Sequence, residues 1–314
     1  TLFRSNNIEM SKRLEEAGCQ LLYGLGDYKV HSKVILGSLG SSLFHPQALG
    51  FIVRFSTNDA GKNMGAFIAM GTFGYSLGPI ISAFITQFMG LHDIPYLAVF
   101  GICWALLMFK FVPKISDKIV EKNNSDFANT FKEIFSNFKL KLLITISILK
   151  SLITTSTSIL LPFLWKDLGY KPFAIGTALF AFSFMSGIGS FISRDIEKRV
   201  GAKKVFYFSM ISTLPLMLIF AMTYKTCPIL SFVIFAIMGL FTAMAMPVTM
   251  VMAQSIMPQY KSVIGGFING FSWGVIAIVM SALGFIAQAK GIIPVLLVVA
   301  LIPAISSQIG RAHV

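Results

Sequence analysis

Nine apolar runs separated by short polar breaks decide what this chain can fold into. They cover residues 30–55, 63–89, 94–112, 140–164, 172–192, 205–224, 228–257, 262–288 and 291–307. A helix rises about 1.5 Å per residue and the hydrocarbon of a bilayer is about 30 Å thick, so runs of this length suit membrane-crossing helices. They are far too long for barrel strands, which need about ten residues each. Only 12% of the residues are charged and the mean hydropathy is +0.76, whereas soluble domains carry about 25% charge. The fold class is therefore all-α and polytopic, with about nine transmembrane helices in a multi-pass protein of the cell membrane. The lipid bilayer is its first partner.

The breaks alternate in charge. Arg54 and Lys62 flank the first, and the second, Gly90–Asp93, has neither Lys nor Arg. The third carries Lys110, Lys114, Lys118, Lys122, Lys132, Lys139 and Lys141. Lys166 and Lys171 sit in the fourth, Arg194, Lys198, Arg199, Lys203 and Lys204 in the fifth. The last three breaks hold one lysine each: Lys225, Lys261 and Lys290. Positive charge gathers on the odd-numbered breaks, which are therefore cytoplasmic. Orientation in a membrane thus accounts for the net charge of +13, and no nucleic-acid partner is needed.

This patterning divides the chain. Residues 6–29 form an unassigned polar segment, residues 30–112 hold three spans, and 140–307 hold six. Between them lies a cytoplasmic linker, 113–139, whose Phe127–Phe135 stretch places apolar residues at helical spacing and predicts an interfacial helix. Residues 1–5 and 308–314 read as translated sequencing adapters and are set aside, with the expectation of a reading frame cut at both ends. Cys19, Cys103 and Cys227 form no CxxC pair, and His31, His45, His92 and His313 lie far apart. Neither a metal nor any other cofactor is expected. With no HExxH motif and no carboxylate constellation inside the runs, the chain is not read as an enzyme.

Several polar residues interrupt the runs. His45, Pro46 and Gln47 lie near the middle of the first, preceded by Gly37, Ser38, Gly40, Ser41 and Ser42 and followed by Arg54. His45 is about 14 Å inside Arg54 along a helix, close to the midplane. A titratable ring there is costly and lines a cavity, or else is hydrogen-bonded between packed helices. Lys150 stands about 15 Å along the fourth run, too deep for its stem to reach headgroups easily. It needs a partner or a wet cavity. The hydroxyls of Thr154–Ser158 cannot all face one side, so some bond back to their own helix. Asn269 and Trp273, four apart, share a helix face beside Gly266, Gly270 and Gly274. They suit either a polar-aromatic substrate or contact between helices. Gly74-Tyr-Ser-Leu-Gly78-Pro79 combines a flat face for backbone approach with a helix-bending proline.

That last pattern resembles the antiporter motif in the fifth helix of the major facilitator superfamily. Gly40–Gln47, GSSLFHPQ, resembles the fourth helix of its fosmidomycin-resistance branch. Val251–Pro258, followed by Gly265 and Gly266, is similar to the tenth-to-eleventh helix region of the same branch. The resemblance runs from Leu36 to Ser307 and implies the major facilitator fold, twelve helices in two halves, with helices four to twelve present here. Lys150 resembles a lysine in that branch's seventh helix. Two departures stand out. Gln47 and Gly50 replace a Glu and an Arg, and Gln47 carries no proton. In the loop Arg194–Lys204, Lys198 replaces the acid of the superfamily's cytoplasmic motif, so Asp195 or Glu197 takes over its pairing, ahead of Gly201; an ordinary solvated basic loop is the alternative.

The resemblance implies a monomeric secondary active transporter working by alternating access, exporting a small organic solute or drug in exchange for protons. His45, Gln47, Lys150, Asn269 and Trp273 would line the path of substrate or proton. Arg54, Gly74, Gly78, Pro79, Asp195, Glu197 and Gly201 would form the conformational motifs. Gln47 keeps a metabolite uptake permease as the alternative, beside a non-functional fragment. The topology is testable with an impermeant thiol reagent applied from outside to a chain whose native cysteines are replaced by serine. A cysteine at Gly90 is expected to react and one at Asn124 to stay silent; the reverse pattern overturns the orientation.

Overall fold

The computed structural model describes residues 60–111 and 127–313, together with 39, 40, 43, 44, 48 and 52. His45, Gln47, Arg54 and much of the linker fall outside the described residues. In chain order the helices are α1 (Ala60–Phe88), α2 (Leu97–Phe111), the linker helix α3 (Phe127–Ser136), α4 (Phe138–Asp167) and α5 (Pro172–Val200). Then follow α6 (Ala202–Ile211), α7 (Thr213–Thr223), α8 (Pro228–Ile256), α9 (Lys261–Gly266), α10 (Ser272–Lys290) and α11 (Ile292–His313). Six segments are long and apolar enough to span a membrane, and Leu97–Phe111 and Ile292–Ile302 are shorter apolar helices. These account for eight of the nine runs; the first lies almost wholly outside the described residues.

Two runs are less regular than their composition suggests. The sixth divides into α6 and α7 at Ser212. Pro215 has no N–H to give to the carbonyl of Ile211, so the ladder skips a rung there. The eighth contains a π-turn, Phe267–Phe271, between α9 and α10, where Ser272 Oγ donates to the Phe267 carbonyl at 3.4 Å. Glycines at 265, 266 and 270 give this stretch little side-chain packing to resist the extra residue. The turns into α6 and α11 are made by Gly201 and Gly291, at φ of 89° and 91°, where a side chain would be strained.

α5 is the axis of the packing, with α1 on one side and α8 on the other. Its glycines allow this. A methyl group at Gly176 would sit 2.8 Å from the Pro79 carbonyl oxygen, and one at Gly187 would collide with the Phe73 ring of α1. On the opposite side, a methyl at Gly189 would strike the Leu240 carbonyl, and one at Gly239 the Phe182 carbonyl. Ser186 Oγ then donates to the Gly239 carbonyl at 3.0 Å, and Ser209 Oγ of α6 to that of Phe241 at 2.6 Å.

Two apolar clusters flank this seam. At one end of the bundle, Trp165 of α4 is fully buried with Phe220, Phe235 and Met238. Its ring meets Phe232 and Phe235 edge-on at 4.8 and 5.1 Å between centroids. At the other end, Met64, Ile134, Leu140, Met250 and Ile264 join α1, the linker helix, α4, α8 and α9. α2 buries none of its residues. Because two backbones meet at Gly189, Gly189→Ala should cost about 1–3 kcal/mol. At Gly74 a methyl group meets nothing within 4 Å, so Gly74→Ala should be neutral, or stabilising by up to about 1 kcal/mol through helix propensity. Thermal unfolding in detergent checks the contrast; equal losses at both positions would refute it.

Candidate functional site

α4 carries a polar stripe on an otherwise apolar helix. Asn137 caps it, its side chain accepting the Leu140 N–H at 3.2 Å. From there Ser147, Lys150, Ser151, Thr154 and Ser158 recur at intervals of three and four, which draws one polar stripe along an otherwise apolar helix. The stripe is about 16 Å long from Ser147 to Ser158. Thr154 and Ser158 donate back to the carbonyls of Lys150 and Thr155, at 3.4 and 3.2 Å. Thr157, on another face, bonds the Ile153 carbonyl, and Ser156 reaches Met280 Sδ at 3.1 Å. Thr155 Oγ1 is buried without a partner among the described residues.

Lys150 is the charged member of this stripe and is 8% exposed. Among the described residues no carboxylate pairs with it. One turn before it, Ser147 Oγ donates to the Ile268 carbonyl at 3.0 Å, tying α4 to the π-turn at the residue preceding Asn269. Lys150 and Asn269 are thereby held at adjoining levels of the same helix pair. Asn269 is half-buried, while Trp273 is 53% exposed, and methyl groups at Gly270 and Gly274 would meet nothing within 4 Å.

The other residues singled out from the sequence are spread along the molecule. Gly74 and Gly78 are exposed on α1, and Pro79 is the member of that motif that touches α5. At the C-terminal end of α5, Arg194 Nη1 donates to Glu197 Oε2 at 2.8 Å, while Asp195 is exposed. Gly201 caps that helix, its N–H donating to the Glu197 carbonyl at 2.7 Å.

Sequence reasoning did not single out Ser147, Ser151 or a latch on the linker helix. There, Tyr260 Oη donates to Glu133 Oε2 at 3.0 Å, and Phe131 and Phe135 pack on Phe267 with ring centroids 5.5 and 5.4 Å away. The three- and four-residue spacing of the α4 hydroxyls was the available signal. The latch had none, since its halves are separated by more than a hundred residues.

The Major Facilitator Superfamily matches this chain over residues 34–281. A shorter match, to the Polyphosphate kinase C-terminal domain 1, covers residues 3–39, of which only Leu39 is among those described. The "Fosmidomycin resistance protein" of Escherichia coli (strain K12) is 26% identical over 274 residues, 84% of this chain and 65% of that protein. The "Uncharacterized MFS-type transporter YfnC" of Bacillus subtilis (strain 168) is 22% identical over 283 residues, 85% of this chain and 66% of that one. The chain thus spans just under two thirds of the length of these curated relatives.

If the α4 stripe lines a water-filled path, cysteines at Ser151, Thr154 and Ser158 should react with a small charged thiol reagent. A cysteine at Thr157, 1% exposed, should stay protected in the same chain. Uniform protection would mean that the stripe is packed and dry.

Proposed function

The chain belongs to the major facilitator superfamily, and on that premise we propose that it is part of a secondary active exporter of a small, negatively charged organic solute, coupled to protons. The transporter works by rocking its two halves about a site near the midplane. The observation that carries this reading is Lys150. Its ammonium is buried, and the chain has no Asp or Glu between Val30 and Asn58 or between Lys139 and Lys166. A cation at that depth without an acid nearby is costly, and a transported anion offsets the cost whenever the cavity holds one.

The Ser151 hydroxyl supplies a neutral donor along the route, and those of Thr154 and Ser158 join it when they rotate away from the carbonyls of Lys150 and Thr155, solvating an anion without trapping it. His45, at similar depth in the other half, is the proposed proton carrier. Gln47 and Asn269 orient the solute through their amides, and Trp273 offers a flat apolar face. Gly74, Gly78 and Pro79 on one side, with Arg54, Asp195, Glu197 and Gly201 at the cytoplasmic ends, are the proposed elements that slide or unpair as the halves rock. The protein acts as a monomer in this scheme. The chain's own departure at Gln47, which carries no proton, favours uptake of an anionic metabolite as the second reading.

The experiment uses vesicles bearing the chain together with the remaining helices of the family fold. Lys150→Met and His45→Phe are each expected to reduce transport to background while the protein is still inserted and monodisperse. Lys150→Arg should retain part of the flux of an anionic solute. Normal transport in both neutral variants would remove these residues from the mechanism. The direction of the imposed proton gradient that drives flux separates export from uptake.

A further inference from the structure

A second site lies away from the α4 stripe, near the cytoplasmic membrane surface. α4 and α6 each pack on α8 but scarcely on one another, and the gap between them is a crevice walled by Leu143, Ile146, Phe206 and Met252. Its lining is almost entirely apolar, with Lys203 and Tyr207 on its α6 side. Lys203 is exposed, as is Lys139, which precedes Leu143 by four residues and Ile146 by seven, so the three share one face of α4. The mouth therefore has a lysine on each side. α6 also begins there, behind Gly201, with no side chain capping its first N–H groups, and this adds the positive end of a helix dipole. Of the acids at this end of α5, Glu197 is paired with Arg194 at 2.8 Å.

A basic rim leading into an apolar slot fits one kind of ligand. A free phosphate would satisfy the rim and leave the slot empty, and a neutral lipid would fill the slot and leave the rim unpaired. Along α4, Ile146 lies about 10 Å from Lys139, within reach of the upper part of an acyl chain whose phosphate is held at the rim. We propose that this crevice binds an anionic glycerophospholipid of the cytoplasmic leaflet, with one acyl chain between α4 and α6 and its phosphate between Lys139 and Lys203. Basic clusters at membrane-surface depth attract such headgroups, and lysine stems reach up along apolar walls to meet them.

The test is photocrosslinking of the chain in nanodiscs with phosphatidylglycerol carrying a diazirine on its acyl chain, beside phosphatidylcholine carrying the same chain. Mapping by peptide mass spectrometry should place label on Leu143, Ile146, Phe206 or Met252. The anionic lipid should give about tenfold more label there than the zwitterionic one, as expected for two lysines close to a charged surface. In Lys139→Ala/Lys203→Ala the preference should vanish while label on the exposed face of α2 persists, and Lys139→Arg/Lys203→Arg should keep it. Equal labelling by the two lipids, no label in the crevice, or a preference that survives the double alanine variant would each overturn the proposal.

Discussion

Everything in this molecule rests on how closely α5 approaches its two neighbours. In lipid there is no gain from moving apolar surface out of water, so helices hold together through dispersion contacts and interhelical hydrogen bonds. α5 maximises both. Gly176 and Gly187 let the backbone and the Phe73 ring of α1 press against it, and Gly189 does the same for α8. Ser186 then uses the short separation to reach the Gly239 carbonyl. The consequence is geometrical. α1 is fixed against α5 at Pro79 and also reaches α8 and the cluster around Met64, so the helices before the linker are anchored to those after it.

How much of this was legible in the sequence depended on which physical signal each feature leaves. Span number and order were legible, because a membrane helix needs a long apolar run and nothing else in the chain imitates one. The interruptions at Ser212 and Phe267–Phe271 were not, since a missing rung or an extra residue leaves composition unchanged. Glycine spacing misled in one respect. Gly74 and Gly78 stand at the spacing of a packing face, yet among the described residues neither is pressed by a neighbour. Gly187 and Gly189 carry no such spacing, but two residues turn a helix by about 200°, which sends them to opposite neighbours. Lys150 was legible because a charge inside an apolar run is conspicuous. The role of Ser147 was not, because its acceptor is the backbone of a helix far away in sequence.

The linker helix shows how a surface element is tied to the part of the fold with the least regular backbone. Ile134 is fully buried, Phe131 and Phe135 stack with centroids 4.5 Å apart, and both meet Phe267 at the start of the π-turn. Edge-to-face and offset ring contacts are favoured in particular orientations, which gives this contact a preferred geometry. Ser147 holds the same π-turn one residue later, through the Ile268 carbonyl. A displacement of α10 relative to α4 thus strains the Ser147 bond and the phenylalanine cluster together. The polar stripe and the linker helix are mechanically joined at this one stretch.

The charge balance of the interior completes the argument. The acidic residues of this chain stand in the polar segment 6–29, the breaks, the linker or the run ends, and none lies in the middle of a run. Lys150 therefore has no fixed counter-charge at its own depth, and an effective penalty of several kcal/mol attaches to a buried ammonium left alone. A fixed acid at that depth would remove the penalty permanently and would compete with any anion entering the cavity. In the proposed scheme its absence leaves Lys150 open to an anion at every visit, and neutral groups such as the Ser151 hydroxyl hold that anion weakly enough for release. A carrier must bind on one side and let go on the other. A lone cation among hydroxyls meets both demands, where a preformed ion pair would meet neither.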